Sequence, residues 1–93
     1  MRPLQPRTAR FDAMREAVTI ERADARGPVE VAVTLAALEA WFGRAVPPEA
    51  AIARALSIEP VLRRAANAVE PDDGIITITA RLLGAQREAE NAD

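Results

Sequence analysis

A chain of 93 residues with a formal charge of −2 has room for one small core. A domain of this size buries only about 60–65% of its unfolded surface, so a second copy is a candidate for supplying further burial. It has no cysteine and no histidine, which excludes disulfides, Cys/His zinc sites, thiolate nucleophiles and histidine proton relays.

All twelve basic residues are arginine, and 21 of the 93 residues are alanine, the composition of a GC-rich coding sequence. No basic stripe interleaves with aromatics, so nucleic acid is not the expected partner. No run approaches 18 apolar residues and no signal-peptide pattern appears, so no membrane association is expected and the expected location is cytoplasmic.

The first ten residues, MRPLQPRTAR, hold three arginines, two prolines and no acid, and are expected to form a flexible arm. From Glu16 to Arg22, Val18 and Ile20 alternate with Thr19 and Glu21, the period of a strand with one buried face. ADARGP is a turn, and Val29, Val31 and Val33 continue as a second strand, closing a hairpin with a loop of about five residues.

Thr34 is placed to cap a helix over Leu35–Phe42, and Gly43 to end it in the left-handed conformation. Leu35, Leu38 and Phe42 share its core face. Trp41 lies about 70–80° off that stripe, at the flank. It is either an anchor for a partner, where Trp is over-represented, or a ring packed at the core edge.

AVPPE opens the next helix, with proline tolerated at its first turn. On an ideal wheel the apolar stripe of Ile52, Ala55 and Leu56 jumps by about 110–120° to that of Ile58, Val61, Leu62, Ala65 and Val69. One straight helix cannot bury both. Pro60 points to a break near 56–59, with Ser57 as the expected cap of a fresh helix. On the outer face Glu59 stands four residues before Arg63, in the favourable order for an ion pair. Arg63 and Arg64 could clamp an anion, although a solvated charged face is the default. Together, Trp41, Arg63 and Arg64 are the candidate interaction surface.

EPDDG is a turn, and Ile76, Ile78, Ala80 and Leu82 alternate as a third strand. Asp72-Asp73 is the only adjacent acid pair, explained by the turn itself. The four glycines stand apart at 27, 43, 74 and 84, so no phosphate loop is present. No catalytic residue, metal ligand or cofactor-binding residue is assigned, and the chain is not expected to be an enzyme.

Phe11-Asp12, the strand AVTIER, the strand VEVAVT leading into AALEAWF, the helix SIEPVLRRAANAV and the closing DDGIITITA together resemble the small bacterial domain of unknown function numbered 1488, over about residues 11–83. The resemblance implies a compact α+β domain, a hairpin followed by helices and a returning strand, with no established activity. The family often has an aromatic followed by arginine where Ile58-Glu59 stand here, and Pro60 is unusual. No role for that arginine carries over.

These readings add up to a two-layer α+β domain over 11–84. A mainly antiparallel three-stranded sheet (strands near 16–22, 28–34 and 74–82) is covered on one face by helices near 35–43 and 48–69, in the order β-β-α-α-β. A polar tail is expected over 85–93. The expected function is a non-enzymatic protein-interaction or accessory module, with an unknown protein or a second copy as partner. The alternative is binding of a small anionic ligand or nucleic acid through surface arginines.

Overall fold

The computed structural model describes residues 3–25 and 27–91. Strands β1 (Leu4–Asp12), β2 (Ala17–Asp24) and β3 (Gly27–Thr34) form an antiparallel meander. β4 (Ile75–Ile78) then joins β3 in parallel, giving the order β1-β2-β3-β4. Between β3 and β4 run helices α1 (Leu35–Phe42), α2 (Pro48–Ser57) and α3 (Glu59–Asn67), and α4 (Ala80–Asn91) closes the chain. The architecture is therefore α+β, with a four-stranded mixed sheet in place of the expected three-stranded antiparallel one.

The alternation in β2 and β3 sets the covered face. Val18 pairs with Val33 and Ile20 with Val31, while Val31 and Val33 face Ile76 and Ile78 across the parallel ladder. All six are buried, and Leu38, Leu62 and Leu83 from the helices close the core over them. Each such side chain contributes about 1.5–3 kcal/mol by leaving water. The thin dimension of 20 Å leaves room for the sheet and one helical layer.

Five further expectations need correction. The arm expected over residues 1–10 is mostly strand from Leu4 onward, residues 1 and 2 lying outside the described residues. β1 lacks a readable alternation because its register shifts between Gln5 and Arg10. Thr8 stabilises the irregularity: its hydroxyl donates to the Gln5 carbonyl and accepts the Glu21 N–H, both at 2.7 Å. The shift brings both Leu4, opposite Arg22, and Phe11, opposite Val18, onto the core face despite their odd spacing.

The β2–β3 loop is also shorter than about five residues, since Asp24 pairs with Gly27. Gly27, at φ 119°, takes a backbone conformation that glycine alone adopts readily. Residue 26 lies outside the described residues. Pro28 falls beyond the reach of β4, on a stretch of β3 with one neighbour, where a missing N–H is tolerated.

The third expected strand, near 74–82, ends at Ile78, and the tail expected over 85–93 is helix as far as Asn91, with residues 92 and 93 outside the described residues. The alternation runs on through Ala80 and Leu82 only when Thr79 is ignored. Its hydroxyl accepts the Leu82 N–H at 3.3 Å and its carbonyl the Leu83 N–H at 3.1 Å, which starts α4. Leu83 is then buried in the core, and Arg87, one turn on, lies against Trp41 of α1.

The helix break falls where the two apolar stripes require it, at Ile58 (φ −117°, ψ 30°). α2 buries Ala51 and Ala55, and α3 buries Val61, Leu62, Ala65 and Ala66. Ser57 is not the cap. It ends α2, with its hydroxyl donating to the Arg54 carbonyl at 2.7 Å. The Ile58 carbonyl instead accepts the Val61 and Leu62 N–H groups at 3.0 and 3.1 Å. Pro60 is the second residue of α3, where its missing N–H would have had no helical acceptor.

The remaining local signals act as expected. The Thr34 hydroxyl accepts the Ala37 N–H at 3.0 Å, and Gly43 sits at φ 72° with its N–H on the Glu39 carbonyl. Asp73 and Gly74, both at positive φ (55° and 77°), form a tight two-residue turn between Asp72 and Ile75, which exchange both backbone hydrogen bonds.

Candidate functional site

Trp41, Arg63 and Arg64 do not come together around one pocket. Trp41 lies half-buried at the core edge, with the Arg87 guanidinium 4.0 Å from its ring centroid. Arg87 also donates to the Trp41 carbonyl at 2.8 Å, tying α4 to α1. A partner anchored on this ring would have to compete with that stacking, which is worth about 0.5–1 kcal/mol at an exposed site. Arg63 pairs with Glu59 at 3.6 Å along α3, the i, i+4 pair that the spacing predicts.

Two other regions hold more chemistry. The first is the sheet face away from the helices. Thr19, Ala32 and Ala17 form its centre, and β2 and β3 place Glu21 directly opposite Glu30. Like charges in that position destabilise a sheet by a few tenths to about 1 kcal/mol. Arg15 offsets part of this by donating to Glu30 at 3.0 Å and reaching Asp12 at 2.9 Å. The hydrogen bond and charge of Glu30, then the charge of Asp12, raise the Arg15 pKa above its ordinary value, so it stays charged at any ordinary pH.

Arg15 is held for this by its turn. The Asp12 carboxylate accepts the Met14 and Arg15 N–H groups at 3.1 and 3.2 Å, and Glu16 takes φ 49°. The same turn leaves Met14 97% exposed. Arg10, opposite Thr19, points its exposed side chain to the same face as Glu21. Neither Arg10 nor Glu21 has an ion pair among the described residues.

The second region is a cleft of about 560 Å³ at the end of the sheet where β2 turns into β3, walled by Arg22, Asp24, Val29, Asn67, Glu70 and Gly74 among others. Arg22 is the unexpected member. It follows Val18 and Ile20 on the core face, opposite Leu4 and Val29, and is only 2% exposed. Asp24 meets it in a two-pronged pair, Nε to Oδ1 at 2.8 Å and Nη2 to Oδ2 at 3.1 Å. Nη1 is shut from solvent and has no protein acceptor, a cost of about 1–3 kcal/mol for an unmet buried donor.

Sequence reasoning missed Arg22, yet the signal was present. Extending the alternation two more positions puts Arg22 on the buried face, and Asp24, two further on, is the nearest residue able to neutralise it.

Among the described residues no three His, Cys, Asp or Glu side chains are grouped to hold a metal ion, and no helix is long and apolar enough to cross a membrane. No protein-family model, no curated protein and no solved structure matches the chain.

Proposed function

We propose that this protein is a non-enzymatic interaction module that pairs with a second copy of itself through the uncovered sheet face. The observation that carries this is the Glu21–Glu30 pair. It costs the monomer stability on a face where, among the described residues, Arg10 has no ion partner. In an isologous contact Arg10 of one copy meets Glu21 of the other, and symmetry makes the pair twice. Ala17, Thr19 and Ala32 at its centre are small and already buried within the chain, so the contact would rest on the charges around them, with Met14 at the rim as an adaptable apolar contact.

The resemblance to domain of unknown function 1488 belongs to the same proposal. A hairpin, β2–β3, followed by helices and a returning strand, β4, agrees with the element order that the resemblance implies. Binding of an anion or nucleic acid through Arg63 and Arg64 has less support, because Arg63 already has Glu59 beside it.

Sedimentation across a concentration series tests the pairing. Glu21→Arg should weaken the dimer about tenfold or more, since a repulsive Arg–Arg contact replaces each attractive one. The swap Arg10→Glu with Glu21→Arg should restore it. A wild-type chain that remains monomeric at millimolar concentration overturns the reading.

A further inference from the structure

The helices lie on one face of the sheet, yet the middle of the other face is covered as well. Thr19 and Ala32, cross-strand partners in β2 and β3, point away from the core and are only 5% and 2% exposed. Strand alternation puts them on the same side as Ala17, Glu21 and Glu30. Their cover therefore comes from longer side chains on that side, and one of these reaches across them.

We infer that the Arg15 side chain is a hinged arm that closes over the Thr19–Ala32 pair and is latched by one exposed charge contact. Arg15 lies in the turn before β2, two residues ahead of Ala17, which pairs with Thr34. Its Nη1 donates to Glu30 at 3.0 Å. Glu30 lies four residues along β3 from Thr34, about 13 Å at the ordinary strand rise. Groups attached so far apart meet only if their side chains run toward each other along the face. The Thr19–Ala32 pair lies midway between the level of Ala17 and that of Glu30.

The two ends of the arm are held differently. At the turn, Arg15 Nε is 2.9 Å from the Asp12 carboxylate, which also accepts the Met14 and Arg15 N–H groups, so that end is tied down within a few residues. At the far end the latch is the Glu30 contact, between side chains 46% and 33% exposed. Exposed pairs of this kind are weak and are screened by salt. Opening parts this contact and leaves the hydrogen bonds of the strands untouched. Self-pairing through this face would meet the arm before the strands, but the arm is built into one chain and stands whether or not the chain pairs with itself.

The chain has no cysteine, so Thr19→Cys, close to isosteric, places the sole thiol at the covered position. Its alkylation by N-ethylmaleimide, a neutral reagent, is followed in the full chain, with each rate referred to the thiolate fraction and extrapolated to zero protein concentration. The extrapolation removes any shielding by a second copy, so failure of the arm and failure of the pairing are read separately.

With Arg15 in place the thiol should react slowly in dilute salt and about two- to fivefold faster in concentrated sodium chloride, the effect of one exposed charge contact. Arg15→Ala should give the fast rate at every salt concentration. Glu30→Gln keeps the arm and weakens the latch, and should give a rate between the two in dilute salt. Equal rates in the Arg15 chain and in folded Arg15→Ala overturn the proposal. So does a rate in the Arg15 chain that is indifferent to salt.

Discussion

The two faces of the sheet are built on opposite terms. The face under the helices is filled by Val18, Ile20, Val31, Val33, Ile76 and Ile78, and its one charged group, Arg22, is matched by Asp24. The open face carries Glu21 against Glu30 and, among the described residues, leaves Arg10 and Glu21 without ion partners. One face has nearly every group satisfied within the chain, whereas the other leaves charges to be met from outside. Under the proposed pairing, stability and interaction fall on opposite sides of the same sheet.

Substitutions on the two sides should differ in sign as well as size. Asp24→Ala leaves the Arg22 charge buried and unpaired, and should lower unfolding free energy in urea by about 3–5 kcal/mol. If the loss is small, Arg22 is wetter than its 2% exposure indicates. Ile78→Ala, on the covered face of β4, should cost about 2–5 kcal/mol through lost burial and the cavity left behind. Thr34→Ala removes the α1 cap at the junction of the two layers and should cost about 1 kcal/mol.

The smallest change should go the other way. Glu21→Gln relieves the opposition to Glu30 and should raise monomer stability by about 0.2–1 kcal/mol while weakening association. A loss of stability on this substitution would mean that the open face is satisfied within the chain after all, and the contrast between faces would fail.

Much of the fold was legible where one period ran unbroken. Val18 and Ile20, then Val29, Val31 and Val33, identify β2 and β3, and Thr34 and Gly43 bracket α1 to the residue. The rotation of the apolar stripe put the break near 56–59, and it falls at Ile58. β1 was illegible because its register shift puts Leu4 and Phe11 on one face at an odd spacing. α4 was hidden because Ile76, Ile78, Ala80 and Leu82 keep a strand period through a residue, Thr79, that caps a helix.

Of the candidate surface, the ion pair of Arg63 with Glu59 followed from i, i+4 spacing, and Trp41 from its angle on the wheel. The cation stacked on Trp41 comes from a helix far along the chain, and no local pattern foretells it. Arg22 needed only the strand alternation carried two residues further. A charged side chain reads as the end of a buried stripe, and here it was part of one.

The parallel pairing of β4 with β3 also sets an order of events. β1, β2 and β3 are joined by tight turns and can pair as soon as they leave the ribosome. Glu30 to Val33 must wait for Ile75 to Ile78, which emerge only after three helices have been made. Until then β3 is an open edge beside its exposed valines, so the nascent chain is most vulnerable to wrong pairing during synthesis of its middle third.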